Sequence, residues 1–226
     1  MTTVPANKSR LQLEDSWEAV NAWFLEHDMT DGLPIVPPTE ARVRAMTDYA
    51  ERTLGWVARD VVATLMPKRG IATVEKIAAN AVMAGCRPEY MPILIAAVEA
   101  IAQPKFRIED AGSTPSWEPL IVVSGPISRQ LDFNHGAGLM RVGRQANSSV
   151  GRFLRMYFRN ICGYRIAPGD GDKASIGYTF NVAMAEDEQW ARDIGWPTFG
   201  QDMGFGADDN VVTVQSVVAI TAPTYS

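Results

Sequence analysis

The residues best placed to do chemistry lie in the turn Cys86-Arg87-Pro88-Glu89-Tyr90. The preceding glycine has the position of a helix stop, and Pro88 suits the first turn of a new helix, so Cys86 is predicted to lie near a helix N-terminus. The positive end of a helix dipole and the neighbouring Arg87 favour a thiolate, while Glu89 and Tyr90 are able to donate or accept protons. We therefore expect Cys86, Glu89 and Tyr90 to be catalytic and Arg87 to bind substrate. The alternative is that Cys86 only packs, because free cysteines are often buried.

The glycine-rich stretch 134–138 and the helix predicted after it form a second candidate site. Free backbone N–H groups at a helix start bind anions, and nearby arginines strengthen a carboxylate or phosphate site. The stretch lacks the Gly-Lys-Ser/Thr of a P-loop, and no strand leads directly into it as in a dinucleotide-binding fingerprint. An ordinary capped helix with exposed arginines is the alternative. The predicted substrate-binding residues are His135, Arg144, Asn147, Ser148 and Arg152.

A third candidate is the acidic run Glu186-Asp187-Glu188, which follows a predicted strand. Carboxylates at a strand end serve as acid/base groups or bind hard cations, and Glu186 is the predicted proton-transfer residue. A metal site that includes His135 can be drawn, but nothing in the spacing demands a metal. No metal ligand is therefore predicted, and the sequence does not identify a cofactor. The alternative for the acidic run is a solvated turn without a chemical role.

The strands and helices that must position these residues do not alternate strictly along the sequence. This order predicts an α+β fold with a mixed sheet. A central apolar helix pair is expected at about 73–85 and 88–102, where apolar residues recur at helical spacing. Asn147 or Ser148 is predicted to cap a later helix that runs to about residue 161. Further helices are expected after Ser16 and, as a short one, after Thr39. Strands are predicted at about 56–66, 120–124, 178–184 and 211–220, with long glycine-rich loops at 132–146, 168–177 and 186–209.

Length and composition bound the organisation and the partners. Residues 1–13 are predicted to be a flexible lead-in and residues 14–226 a single α+β domain, which 226 residues can build around one core. The net charge of −5 disfavours nucleic-acid binding. No apolar run approaches the roughly 20 residues of a membrane span, and the polar N-terminus does not resemble a secretory signal. With only two cysteines, Cys86 and Cys162, the expected location is the cytoplasm with both thiols reduced.

Residues 73–90, TVEKIAANAVMAGCRPEY, resemble the signature of a poorly characterised bacterial family associated with proteins that carry a UGSC (selenocysteine or cysteine) motif. Residues 33–40, 144–152 and 185–188 are also similar to that family. The resemblance implies a component of a two-part enzyme with a redox or thiol-based partner. This chain has no UGSC motif, so a redox-active part would lie elsewhere.

Together these patterns predict an enzyme, or a subunit of a two-component enzyme, that acts on a small polar or anionic molecule. Its site would lie around Cys86 and the helix start at 144–152. The alternative is a non-catalytic partner or scaffold subunit of a redox or thiol enzyme complex, in which long glycine- and aromatic-rich loops form the interface. An oligomer is expected in both cases, because tryptophans fall in loop-like segments: Trp117, Trp190 and Trp196.

Overall fold

A computed structural model describes residues 10–111, 117–164 and 183–217. The N-terminal part consists of two helices, α1 (Trp17–Glu26) and α2 (Glu40–Leu54), each capped as predicted. The Ser16 hydroxyl accepts the amide of Ala19 at 3.0 Å, and Thr39 accepts that of Arg42 at 3.4 Å. The helix after Thr39 is not short: it has 15 residues and ends at Gly55 in the left-handed conformation. Only a few α2 side chains are buried, so its apolar signal is weak in the sequence.

A hairpin follows, built from the antiparallel strands β1 (Val61–Leu65) and β2 (Gly70–Thr73). The predicted strand at 56–66 therefore begins five residues too early, and β2 was not predicted. β2 is missed because it is four residues long and runs directly into a helix cap. A Cβ on Gly70 would lie 1.8 Å from the carbonyl oxygen of Ile161. Gly70 therefore allows the backbone of the hairpin to pack directly against the backbone at Ile161.

The predicted central helix pair is present as α3 (Val74–Ala84) and α4 (Met91–Ile101). Thr73 caps α3, Gly85 ends it with a φ of 87°, and a 3-10 turn at Pro88–Tyr90 leads into α4. Pro88 begins this turn, and Pro92 lies in the first turn of α4, where a proline is tolerated. Most side chains of both helices are buried, which explains why this region was predicted most accurately.

The main sheet has the order β4-β3-β5, with β3 at Glu118–Ser124, β4 at Met184–Ala185 and β5 at Val211–Val217. β3 pairs parallel with β4 and antiparallel with β5, so the sheet is mixed and the α+β class is confirmed. The predicted strand at 178–184 and the predicted loop at 168–177 fall largely or wholly outside the described residues. The last three residues of the predicted final strand, 218–220, also lie outside them.

The helix that carries the second candidate site is α6 (Gln145–Tyr157), which continues as a π-helical turn at Phe158–Cys162 and stops at Gly163. The expected cap at Asn147 or Ser148 is wrong, because α6 begins at Gln145 and its N-cap is Arg144, three residues before Asn147. The Asn147 side chain bonds to two other segments instead of capping its own helix. A five-residue helix, α5 (Pro126–Gln130), follows β3 and was not predicted.

The region 186–209 was predicted to be mostly loop but contains two short helices, α7 (Glu188–Asp193) and α8 (Phe199–Asp202). The buried hydrophobic side chains of the described residues form one core cluster, to which α3, α4 and α6 contribute most. α3 packs against α2 on one side and α6 on another, which brings the end of α3 and the start of α6 together. Within the described ranges no helix is long and apolar enough to cross a membrane.

Candidate functional site

An open cleft of about 300 Å³ lies where the end of α3 meets α2 and the start of α6. Cys86 forms part of its wall, together with Arg42 from α2 and Gln145 from α6. The rest of the lining is largely apolar and includes Val36, Ala45, Met46, Val82 and Pro88. The volume is at the small end of the range for ligand-binding clefts, so it suits a small molecule.

The backbone around Cys86 is fixed by the end of α3. The Cys86 amide donates to the Ala81 carbonyl at 2.9 Å, and the Gly85 amide donates to Val82 at 2.9 Å. The Gly85 carbonyl in turn accepts the side-chain amide of Gln145 at 2.9 Å. The left-handed glycine therefore turns the chain so that the following thiol meets the start of α6.

The protonation state of Cys86 differs from the expectation of a stabilised thiolate. Burial raises the pKa of the Cys86 thiol to about 12, although a hydrogen bond with the Ser149 side chain and the charge of Arg152 act in the opposite direction. Burial outweighs the nearby positive charge because a thiolate loses its hydration in the cleft wall. Cys86 is thus a neutral thiol at physiological pH in this structure, and its catalytic role stays a prediction.

The other residues of the predicted catalytic turn, Arg87, Glu89 and Tyr90, do not contact the thiol of Cys86 in any hydrogen bond of the described structure. Arg87 does not turn toward the thiol: its Nε donates to the hydroxyl of Tyr90 at 3.0 Å, and its guanidinium lies 5.0 Å from the centre of the Tyr90 ring. Tyr90 is fully buried, and burial raises the pKa of its phenol. Glu89 is exposed. Arg87 and Tyr90 therefore form a packed pair that holds the turn, and their predicted roles in substrate binding and catalysis stay untested.

Arg152 is the arginine of the second group that approaches Cys86, but its charge is already paired. Its guanidinium donates to both carboxylate oxygens of Asp31, at 2.8 and 3.0 Å, and to the carbonyl of Pro34 at 2.9 Å. The side chains of Asp31 and Arg152 are 4% and 17% exposed. Burial alone would raise the pKa of Asp31, but the hydrogen bonds and charge of Arg152 outweigh it and hold this pKa below its ordinary value.

This ion pair fixes one wall of the cleft. After a bend at residues 31–33, the Ile35 amide donates to the side chain of Asn21 at 2.7 Å and the Val36 amide donates to the carbonyl of Met83 at 3.2 Å. Residues 31–36 are therefore bonded to α1, α3 and α6, and Val36 reaches the cleft from this segment. We call residues 31–36 the strap.

The remaining residues of the second group lie outside the cleft lining. Arg144 pairs with Asp132 at 2.5 Å in an exposed bidentate contact. His135 lies near Asp132 and the start of α7, and burial followed by the charge of Arg129 lowers its pKa. The predicted binding residues therefore do not converge on one point.

Asn147 and Ser148 lie in the first turn of α6. Asn147 is fully buried: its side chain accepts the amide of Asn134 at 2.9 Å and donates to the carbonyl of Ala183 at 2.8 Å. Ser148 is half-buried. Asn147 thus joins three segments of the chain, and contact with a substrate is not needed to explain its burial.

Glu186 lies at the edge of the main sheet where the parallel strands β3 and β4 end. It accepts the hydroxyl of Ser124 at 2.6 Å and the amide of Phe199 at 2.5 Å, while Glu188 accepts the amide of Gly125. These bonds attach the region 186–209 to β3. Over the part of the chain that the structure describes, no group of three or more His, Cys, Asp and Glu side chains is placed to hold a metal ion.

Residues 186–209, which we call the acidic segment, form a second unusual surface. The segment contains seven acidic residues and one basic residue, in a chain with 26 acidic and 21 basic residues overall. Its two tryptophans are 65% and 70% exposed, and three further apolar side chains are about half exposed or more. The exposed apolar residues are Trp190, Ile194, Trp196, Met203 and Phe205.

Arg42 is the charged residue among the described cleft-lining residues, and the sequence did not identify it as a site residue. Its Nη1 donates to the carbonyl of Pro37 at 3.0 Å, and no carboxylate of the described residues pairs with it. The available signal was the spacing of Arg42, Ala45 and Met46, which share one face of a helix at i, i+3 and i+4. That signal is lost when the helix after Thr39 is taken to be short.

The fold and the cleft define an α+β protein with a small, open, largely apolar cleft beside a neutral thiol and one unpaired arginine. Comparison with known proteins gives no match: no family model, no curated protein and no solved structure is significantly similar to this chain.

Proposed function

We propose that this chain is an enzyme, or a subunit of a two-component enzyme, that binds a small polar or anionic molecule in the Cys86 cleft. The observation that carries the proposal is the placement of Cys86 and Arg42 in the wall of one open cleft of about 300 Å³. A reactive atom type, a cation and an apolar surface in one concave site are the usual components of a small-molecule site.

The neutral state of Cys86 determines what such an enzyme needs. With its pKa raised to about 12, the thiol is a poor nucleophile and metal ligand at neutral pH, because the thiolate is the reactive form. No carboxylate or imidazole of the described residues lines the cleft, so reaction at sulfur would need a proton acceptor that arrives with the substrate or with a second subunit. This requirement favours the two-component form of the proposal, in which the chain binds the substrate and its partner completes the reaction.

The test is to fill the cleft and measure ligand binding. Ala45 lines the cleft and is exposed on α2, so Ala45→Trp adds bulk to the site without entering the core. A panel of small carboxylates, phosphates and neutral polar molecules is screened against the native protein by saturation-transfer NMR. We expect at least one class to bind the native chain and to lose binding in Ala45→Trp.

Ala22→Trp provides the matched control, because Ala22 is also exposed but lies on α1 and does not line the cleft. It is expected to bind the same compounds as the native chain. A panel without any binder, or binders that Ala45→Trp leaves unaffected, would refute the proposed site.

The pH dependence of Cys86 alkylation tests the state of the thiol. Because the reactive thiolate is a small fraction below a pKa of about 12, the iodoacetamide rate at Cys86 should rise about tenfold per pH unit from pH 7 to pH 10. Peptide mapping by mass spectrometry separates Cys86 from the buried Cys162. A rate that levels off near or below the ordinary thiol pKa of about 8.5 would contradict the structure and restore the activated-thiol interpretation.

A docking subunit is the second candidate function, and the acidic segment favours it. Exposed tryptophans with surrounding acidic residues fit a protein partner that presents apolar pockets with a basic rim. We propose a UGSC-motif protein as that partner, following the sequence resemblance. Sedimentation of the chain mixed with such a protein tests this: binding should weaken with salt and with Trp196→Ser, and unchanged sedimentation of both proteins would reject it.

A further inference from the structure

The Cys86 cleft contains one arginine whose charge is not balanced inside the described structure. Arg152 is held by Asp31, Arg144 by Asp132 and Arg159 by Asp28. Arg42 has a single bond, to the neutral carbonyl of Pro37, and no acidic side chain contributes to the cleft lining. A cation in this situation is available to an anion that comes from outside the chain.

The start of α6 adds to the positive character of the same cleft. Gln145 is the first residue of this 13-residue helix and lines the cleft, and the N-cap residue Arg144 makes no side-chain cap bond. The partial positive charge at a helix N-terminus acts on a group bound there. Across the cleft, the carbonyls of Ala81, Val82 and Met83 at the end of α3 already accept backbone amides, which reduces their repulsion of an anion.

The rest of the lining limits the size and polarity of the ligand. Val36, Ala45, Met46, Val82 and Pro88 offer apolar contacts, so only one end of a bound molecule meets charge. One unpaired arginine balances one negative charge, whereas a phosphate ester carries up to two and is usually held by several donors.

We infer that the Cys86 cleft binds a small monocarboxylate, with its carboxylate on Arg42, its short apolar body against the α2 and α3 side chains, and Cys86 beside it. The inference rests on the proposed function and names the class of its substrate. It also separates the two arginines near the site: Arg42 binds the ligand, and Arg152 holds the strap through Asp31.

A pair of alkylating reagents tests the inference directly. Iodoacetate and iodoacetamide transfer the same-sized group to sulfur, with loss of iodide, but only iodoacetate carries a carboxylate. The ratio of their rates at Cys86 is compared with the ratio for the same protein unfolded in urea. Because both reagents need the same thiolate, the ratio cancels any change in the pKa of Cys86.

The native ratio is expected to exceed the unfolded ratio about three- to fivefold, the size that one partly solvated ion pair supplies. Arg42→Gln should return it to the unfolded value. Arg44→Gln is the matched control, since Arg44 is exposed on the same helix but does not line the cleft, and it should keep the native ratio. Equal native and unfolded ratios, or a high ratio that survives Arg42→Gln, would overturn the inference.

A competition experiment uses the unaltered protein and does not depend on how the variants fold. Butyrate should slow the reaction of Cys86 with iodoacetamide at concentrations where butyramide and inorganic phosphate do not. Protection by phosphate or butyramide without protection by butyrate would reject the monocarboxylate. The proposed cleft site would survive that result if Ala45→Trp still abolished binding of another compound, so the failure of the two proposals can be told apart.

Discussion

The Cys86 cleft and the acidic segment differ in how far their residues are bonded to the rest of the chain. Around the cleft, polar groups are bonded across several elements: the strap alone is held by Asn21, Met83 and Arg152. The acidic segment is attached at its start, where Glu186 and Glu188 bond to the end of β3, and at its end, where the following strand β5 pairs with β3. Between these two attachments it carries exposed aromatic side chains. The backbone around the cleft is therefore fixed by hydrogen bonds within the chain, whereas the acidic segment exposes its tryptophan side chains to solvent.

The difference matches what the two proposed uses, ligand binding and docking, would require of each surface. A cleft that must keep a small ligand in one orientation needs walls whose backbone is fixed before binding. A docking surface needs apolar area that a partner covers, together with charges that select that partner. Variants that remove a bond beside the cleft, or a side chain of the acidic segment, test this comparison.

The largest effect is expected from Asp31→Asn, which leaves the buried guanidinium of Arg152 without its counter-charge. Breaking a buried ion pair on one side costs about 3–5 kcal/mol, so we expect a loss of that size in urea-unfolding experiments. Asp132→Asn is the control: it breaks a bidentate pair with Arg144 whose side chains are more than half exposed, and should cost under about 1 kcal/mol. Equal losses would contradict the distinction between a buried strap and a solvated surface.

The same ion pair has a predicted pH dependence. The pKa of Asp31 is lower in the folded chain than the ordinary value of 3.8, so its ionised form contributes stability that is fully present at neutral pH. That contribution is lost as the pH falls through the lowered pKa of the folded state. Unfolding free energies of the native chain and Asp31→Asn should therefore converge below about pH 4. A difference that persists unchanged to lower pH would show that Asp31 acts through packing alone.

A smaller loss is expected where the acidic segment meets β3. Gly125 has a φ of 91°, and an added Cβ would lie 2.3 Å from the carbonyl oxygen of Asp209. Gly204 has the same φ with nothing within 4 Å. Gly204→Ala should cost about 1–2 kcal/mol from backbone strain, and Gly125→Ala about 3 kcal/mol because the backbone must also move. Equal thermal-unfolding shifts for the two variants would remove Gly125 as an anchor of the segment.

The smallest effect is expected from removing the exposed aromatics. Trp190→Ser and Trp196→Ser should each change the free energy of unfolding by no more than about 0.5 kcal/mol, because little of either side chain packs within the chain. Phe153→Ala, in the core, should cost about 3–5 kcal/mol in the same urea titration. A loss above about 2 kcal/mol at either tryptophan would mean that the acidic segment is part of the core and not a docking surface.

The sequence predicts best where local and global signals agree. Thr73 and Gly85 bound a helix whose apolar spacing, cap and stop all point the same way, and the structure has that helix. The signals conflict at Asn147, a good cap residue by type that is drawn into buried bonds with two distant segments. The local sequence does not determine whether such a side chain bonds to its own helix end or to a distant segment of the chain.

The sequence singled out the turn at Cys86, and in the structure Cys86 lines a cleft, but the chemical state of the residues around it could not be predicted. The sign of the pKa shift depends on how deeply the thiol is buried, and the availability of each arginine depends on which carboxylate folding brings beside it. Both are long-range facts, since Asp31 and Arg152 lie 121 residues apart.

Asn147 has a consequence for the motions of the chain. Its side-chain oxygen accepts the amide of Asn134, and its backbone carbonyl accepts the amide of Ala183. Neither amide can exchange its hydrogen with solvent until its bond to this first turn of α6 breaks. Two protons that are 49 positions apart in sequence therefore report on the opening of the same helical turn, and that turn begins at Gln145 in the wall of the Cys86 cleft.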